Sequence, residues 1–180
     1  MTGAPIVDGR ALAEFIRDVP DFPSPGIAFK DITPLLADPR AFAASIDALS
    51  DGFGVGQVDK VVGIEARGFV LAAPVALRLQ AGFVPVRKQG KLPAAAFSAA
   101  YELEYGAAVL EVHTDAVLTG ERVLIVDDVL ATGGTIAATC GLVRQAGGEA
   151  VGVSVLLELP HLGGRGRLPG GVPLHAVLSA

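Results

Sequence analysis

Polar and apolar positions alternate on two different periods along this chain. Val123 to Val126 are four consecutive apolar residues with no polar alternation, the pattern of a short strand buried on both faces of a parallel sheet. Lys60 to Ile64 reads as a second buried strand, Phe83 opens a short third, and Val109 to Val112 and Val151 to Leu157 predict two more. Other stretches carry the helical period. Leu12, Phe15, Ile16 and Val19 share a face over a helix of about Asp8 to Val19, and Phe42, Ile46 and Leu49 do so over about Pro39 to Gly52. A helix is predicted after Gly68, with Pro74 inside it as a source of a kink, and another over Ile136 to Ala146, closed by Gly147-Gly148. The expected fold class is therefore α/β, a central, mainly parallel twisted sheet with helices on both faces.

Between these elements the loops differ in kind. Pro20 to Lys30, PDFPSPGIAFK, has three prolines in six residues, which stiffens it and lowers the entropy lost on gripping a ligand. Phe29 at its end suits either a core position or one wall for a flat base. Leu92 to Gly106 has no clear period, and a long loop near a binding site suggests a lid, in which Glu104 is the carboxylate to watch. Gly52-Phe53-Gly54-Val55-Gly56 looks like a dinucleotide fingerprint, but its spacing is wrong and no strand precedes it. The last twenty residues, rich in Gly and Pro, carry little functional signal.

Composition narrows the possibilities. A chain of 180 residues fits one domain with a substantial core. Although 51% of residues are hydrophobic, the longest apolar run, Gly68 to Leu77, lies between Arg67 and Arg78 and is too short to span a bilayer. No charged-then-apolar signal opens the chain, so neither secretion nor a membrane is expected. A net charge of −5 argues against a nucleic-acid partner. The single cysteine, Cys140, cannot form an internal disulfide and reads as a small core residue of a cytoplasmic protein.

Chemistry concentrates in Arg122 to Ile136, RVLIVDDVLATGGTI. Asp127 and Asp128 follow the apolar four at the carboxyl end of a strand, where open α/β sheets bind ligands. Ala131, Thr132, Gly133, Gly134 and Thr135 then lead into a helix, small residues that let the backbone curl with its N–H groups inward, which is a phosphate site. Carboxylates repel phosphate but accept hydrogen bonds from sugar hydroxyls, so the two halves together suggest a ribose 5-phosphate. The plain alternative is that Asp-Asp finishes a strand and Gly-Gly turns. Glu65, Ala66, Arg67 and Gly68 stand at the end of a second strand, and the planar fork of Arg67 suits a di-anionic oxygen cluster. Arg87, Lys88 and Lys91 form a local cluster of cations on an acidic protein, suited either to an anion or to a solvated loop.

The apolar four, the acidic two and T-G-G-T resemble the phosphoribosyl-pyrophosphate signature of the type I phosphoribosyltransferases. With FPSPGIAFKD, GIEARGF, PVRKQGKLP and YELEYG in the same order, the chain resembles the adenine phosphoribosyltransferase family over roughly Asp21 to Glu158. The resemblance implies a single type I phosphoribosyltransferase domain over 1–180, with a small N-terminal base-binding hood over about 1–35 and a mobile lid loop over about 88–106. It implies transfer of a phosphoribosyl group from 5-phospho-α-D-ribose 1-diphosphate (PRPP) to adenine, giving AMP and pyrophosphate. Mg²⁺ would be bound mainly through the substrate rather than by protein ligands. A cytoplasmic homodimer is implied as well.

The same likeness assigns residues. Ala131 to Thr135 would hold the 5-phosphate and Asp127 and Asp128 the ribose hydroxyls. The turn Glu65-Ala66-Arg67-Gly68, with a non-proline cis peptide at Glu65-Ala66, would receive pyrophosphate together with Arg87, Lys88 and Lys91. Ala28 and Lys30 would read the edge of adenine through their backbone, with Phe29 and Val129 as walls. Glu104 and Arg67 would be the catalytic pair, Glu104 acting as general acid/base or by hydrogen bonding. Two departures stand out: Ala94 to Phe97 is more apolar than the usual lid, and Val129 is smaller than the leucine often found there. Two other readings are a regulator that binds PRPP or purines without catalysis, and an enzyme for a 6-oxopurine.

Overall fold

The computed structural model describes residues 9–102 and 107–180, so Asp8 and Glu104 lie outside the described residues. Backbone contacts divide the chain into two compact units, one ending at Ala48 and one running from Leu49 to Ala180. The sequence reading had one domain with a hood over about 1–35.

The first unit departs most from expectation. Instead of one helix to Val19 there is a single helical turn, α1 (Gly9–Leu12), a 3-10 turn over Ala13–Phe15 and a short strand, β1 (Arg17–Val19). β1 pairs antiparallel with β2 (Phe29–Asp31), placing Asp18 opposite Lys30 and Val19 opposite Phe29. The spacing of Phe15, Ile16 and Val19 fits a helix, but all three are β-branched or aromatic residues that a strand accepts equally well, and the β2 partner decides the outcome. The proline-rich loop between them is tied to itself: Gly26 N–H donates to Asp21 Oδ1 at 2.7 Å, and Phe22 N–H to the Ile27 carbonyl at 3.2 Å. A short helix, α2 (Thr33–Ala37), escaped the sequence reading because it is little longer than one turn. The next, α3 (Pro39–Leu49), matches it, with Asp38 Oδ1 accepting from the N–H groups of Arg40 and Ala41 as a cap.

The second unit is built on a seven-stranded sheet. Its strands are β3 (Lys60–Ile64), β4 (Gly82–Lys88), β5 (Ala96–Glu102), β6 (Ala107–His113), β7 (Arg122–Leu130), β8 (Glu149–Glu158) and β9 (Leu174–Ser179). Their order across the sheet is β5-β6-β4-β3-β7-β8-β9. Every pair from β4 to β9 is parallel, and β5 and β6 add an antiparallel edge. β7 is the middle one of the five parallel strands, and Val123 to Val126 have no exposed surface, which is why they show no polar alternation. Each such side chain contributes on the order of 2 kcal/mol by leaving water. The expected α/β architecture is thus present.

Two helices cover opposite faces. α5 (Gly134–Gln145) buries Ile136, Cys140 and Val143 against Val62, Ile64, Ile125 and Val153. α4 (Arg67–Leu79), which runs through Pro74, lies on the other side: a Cβ on Gly63 would come within 2.7 Å of Ala72 Cβ. Sheet alternation puts Gly63 on the face opposite Val62 and Ile64. At the amino ends of β3 and β7, Asp59 accepts from Arg122 through Nε at 3.0 Å and Nη2 at 2.8 Å, and Arg122 N–H donates to it at 2.8 Å. Those bonds hold the Asp59 carboxyl down at about 2 and fix the start of both strands.

The expected lid loop over about 88–106 is in part regular. After a turn at Gln89 and Gly90, β5 pairs along its whole length with β6, from Ala96 opposite His113 to Glu102 opposite Ala107. The apolar departure at Phe97 has a structural reason, since its side chain packs against the core cluster of the sheet.

Candidate active site

The carboxyl end of β7 projects past its neighbour. β3 stays in register with β7 only as far as Gly63 opposite Val126, and its chain then leaves at Glu65, whereas β8 follows β7 to Leu130 opposite Glu158. Asp127 and Asp128 therefore do not end the strand, as the sequence suggested, but lie within its overhang, in the gap that β3 vacates. Both are buried, at 8% and 4% exposure. Asp128 N–H donates to Asp127 Oδ1 at 2.9 Å.

Burial and the neighbouring Asp128 charge push the Asp127 carboxyl well above its ordinary range. Burial also raises Asp128, with the Arg67 charge opposing it. Arg67 Nε lies 2.8 Å from Asp128 Oδ2, close enough for an ion pair. That oxygen nonetheless makes no hydrogen bond, because distance alone does not supply the donor alignment a bond requires. A buried acceptor in that state is poised to take a hydroxyl donor.

The turn Glu65 to Gly68 closes one side of the acidic pair. Its Glu65-Ala66 peptide is cis, as the resemblance implied. Gly68 lets the start of α4 press onto β7: a Cβ there would fall 2.7 Å from Asp127 Oδ1 and 3.2 Å from the Val126 carbonyl. Glu65 turns its carboxylate away from the anion-binding role, accepting from Arg87 Nε at 3.2 Å and Lys88 N–H at 3.1 Å. Arg87 Nη1 also donates to the Lys91 carbonyl at 3.0 Å, so Glu65, Arg87 and Lys91 are linked in one group. Arg87 is half-buried, and Lys88 and Lys91 are exposed.

On the other side, Ala131 to Gly133 form the bend that opens α5, which starts at Gly134. Gly133 adopts φ 82°, a left-handed conformation that favours glycine, and no side chain caps the helix. Its first N–H groups thus face outward at a positive helix end, the arrangement that binds phosphate. Sequence reasoning missed the tail of the chain here. Gly164 packs its carbonyl against Gly133 and its Cα side against the Ala131 carbonyl, so tightly that neither glycine has room for a Cβ. The signal was Gly163-Gly164-Arg165-Gly166-Arg167, a glycine-rich basic run in a stretch taken as uninformative.

Val129 is half-buried on β7 beyond the acidic pair. In the first unit, Ala28 is exposed and Phe29 half-buried, its ring edge-on to Phe22 with centroids 5.1 Å apart. The Lys30 ammonium lies 2.7 Å from Asp18 Oδ1, so its charge is already engaged. Together the second unit gathers two helix starts, two buried carboxylates and an arginine at one end of a parallel sheet. Such a set can hold a sugar bearing anionic groups on both sides.

The chain matches the family model described as the phosphoribosyl transferase domain over residues 29–167. It is 63% identical over 161 residues to an adenine phosphoribosyltransferase of Acidothermus cellulolyticus, covering 89% of this chain and 91% of that one. Its structure resembles the adenine phosphoribosyltransferase of Rhodothermus marinus with TM-score 0.92 and 54% identity, over 96% of this chain and 98% of the other. It also resembles the Saccharomyces cerevisiae enzyme complexed with an imino-altritol bisphosphate and adenine, with TM-score 0.88 and 40% identity, over 94% and 97% of the two chains.

The acidic pair yields a prediction with two readouts. Asp127→Asn and Asp128→Asn keep shape and remove charge, and hydrogen bonds to charged groups are worth ~1.5–3 kcal/mol, so kcat/KM should fall ~10- to 100-fold in each. The stability effect has the opposite sign for Asp127. A carboxyl raised by folding binds its proton more tightly folded than unfolded, so the wild type loses stability as pH climbs above the ordinary 3.8. Asp127→Asn should therefore melt no lower than wild type at pH 7, and the gap should close as pH is lowered toward 4. Unchanged turnover in both variants would leave the pair with no part in holding the sugar.

Proposed function

Because the chain belongs to the phosphoribosyl transferase family, and within it to the adenine phosphoribosyltransferases, we infer that it transfers the 5-phosphoribosyl group of PRPP to adenine, releasing AMP and pyrophosphate. The observation that carries this reading is the buried acidic pair on the β7 overhang between two helix starts. Carboxylates there accept from ribose hydroxyls, the α5 start with Ala131, Thr132, Gly133, Gly134 and Thr135 receives the 5-phosphate, and the turn Glu65 to Gly68 receives the diphosphate. Arg87, Lys88 and Lys91 add positive charge beside that turn.

Breaking the C1–O bond of the donor builds positive charge on the sugar and negative charge on the departing pyrophosphate. Most of the rate therefore comes from fixing the reactants and stabilising that separation. Arg67 does the second task from the start of α4. Its ion pair with Asp128 ties the leaving-group end of the site to the sugar end, so ribose hydroxyls arriving at Asp128 loosen Arg67 toward the diphosphate. Mg²⁺ would be carried mainly by the diphosphate, and among the residues here the carboxylates of Asp127 and Asp128, with Asp128 Oδ2 lacking a hydrogen-bond partner, would be the oxygen donors suited to it. When bound, Mg²⁺ neutralises charge on the leaving group. Adenine N9 attacks and loses a proton, a step that Glu104 assists through the base as general acid/base or by hydrogen bonding, and closure of the 88–106 segment keeps water from the sugar cation.

The base is read by backbone groups of Ala28 to Lys30, with Phe29 stacking on it. Adenine presents an N6 donor and an N1 acceptor, and a 6-oxopurine presents the reverse. A backbone carbonyl and N–H cannot exchange places, so hypoxanthine leaves buried groups unpaired at ~1–3 kcal/mol each. The Lys30–Asp18 pair supports a role for Lys30 that is not its charge.

The protein works in the cytoplasm as a homodimer in this reading. α4 leaves Val70 and Leu77 exposed at 44% and 81%, seven residues apart on one face, and Phe83 beside it is 38% exposed with its ring edge-on to Phe69. Apolar surface of that kind favours a second copy. Among the described residues no helix is long and apolar enough to cross a membrane.

Two outcomes are expected. Incubated with PRPP, Mg²⁺ and each purine in turn, the protein should form nucleotide from adenine with kcat/KM at least ~10² above hypoxanthine or guanine. Comparable values for the two classes would defeat the adenine assignment and leave the transfer chemistry intact. Sedimentation should show a dimer for wild type and a monomer for Leu77→Glu; a dimer in both would remove this face of α4 from the interface.

A further inference from the structure

Glu158 is the last residue of β8, opposite Leu130 at the end of β7, and only 8% exposed. It accepts from Arg165 Nε at 2.9 Å and from Nη2 at 2.5 Å, one on each carboxylate oxygen. This paired fork holds the Glu158 carboxyl below its ordinary range. Arg165 sits on a 3-10 turn, Gly164–Arg167, whose first residue is the glycine packed on the phosphate loop. Besides touching Gly133 and Ala131, a Cβ on Gly164 would lie 3.0 Å from the Gly133 nitrogen and from Leu130 Cδ1. At the start of the same segment, Leu159 N–H donates to the Leu130 carbonyl at 2.9 Å.

We propose that the Glu158–Arg165 pair is a clasp that presses Gly164 onto the Ala131–Gly133 bend, making Arg165 a positioning residue for the 5-phosphate. This rests on the reading of Ala131 to Thr135 as the phosphate loop. The bend has few restraints of its own: Gly133 is left-handed and no side chain caps α5. Backbone N–H groups bind an anion tightly only if they converge before it arrives, because ordering them on binding costs affinity. Gly164 supplies the missing wall, and it stays in place because Arg165 is anchored to a buried carboxylate of the sheet. A lysine keeps the charge of Arg165 but not the fork, so it should hold Gly164 only in part.

The test measures binding of ribose 5-phosphate and of pyrophosphate by calorimetry, with steady-state constants for PRPP and adenine, in the full chain. Arg165→Ala, Glu158→Gln and Gly164→Ala should each weaken ribose 5-phosphate and raise KM for PRPP about tenfold or more. Pyrophosphate affinity and KM for adenine should stay within about twofold, and Arg165→Lys should fall between Arg165→Ala and wild type. Gly166→Ala is the control, since a Cβ there meets nothing within 4 Å. A uniform loss of both ligands, or unchanged ribose 5-phosphate binding in Arg165→Ala and Gly164→Ala, overturns the clasp. Gly134→Val separates the two levels of the argument. If it weakens ribose 5-phosphate while the clasp variants do not, the clasp alone is wrong; if it has no effect, the phosphate loop is misplaced and the clasp falls with it.

Discussion

Two carboxylates held out of water next to one another are costly unless something draws on them, and Asp127 and Asp128 are held so by the centre of the sheet. The strand that carries them is anchored by four fully buried apolar residues, so it cannot slide or tilt to solvate the pair. The pairing of β3 with β7 stops at Val126, just short of them, and β8 on the other side runs on past. What relieves the pair is Arg67, at 2.8 Å from Asp128, and in the proposed reading the hydroxyls of a bound ribose. The same geometry that raises their protonation is what makes them strong acceptors for a sugar.

Glycines set the distances around this pair. Gly68 brings the start of α4 onto Asp127, Gly63 brings its next turn onto the sheet, and Gly133 and Gly164 bring the tail of the chain onto the start of α5. In each case a Cβ would strike a neighbour, a side chain first at Gly63 and Gly68 and backbone at Gly133 and Gly164. The result is that two helix starts, each with outward N–H groups, converge on one strand end. In the proposed reading that convergence is what binds an anionic group on each side of a sugar, with few cationic side chains needed in an acidic protein.

The sheet of the second unit was legible because burial on both faces writes itself into uninterrupted apolar runs; β3 matches residue for residue, and α5 to within two residues at its start. Asp127, Asp128, Arg67 and the Ala131–Thr135 bend were legible because their chemistry sits at the seams between such runs. The first unit was harder. Ile16 and Val19 fit a helix or a strand, and only the pairing with Phe29 to Asp31, ten or more residues away, chooses. β5 was hidden because Ala99, Ala100 and their neighbours are small, and its strand character comes from β6 beside it. The role of Gly164 was hidden for the same reason, since its contact is with a loop thirty residues earlier.

In the proposed reading the β7 overhang binds a ribose 5-phosphate between two helix starts. A crystal structure of the protein with ribose 5-phosphate tests it most directly. The 2- and 3-hydroxyls should lie within hydrogen-bond distance of the Asp127 and Asp128 carboxylates, with the phosphate on the N–H groups of Thr132 to Thr135. A phosphate seated elsewhere, or hydroxyls with no carboxylate partner, would contradict it.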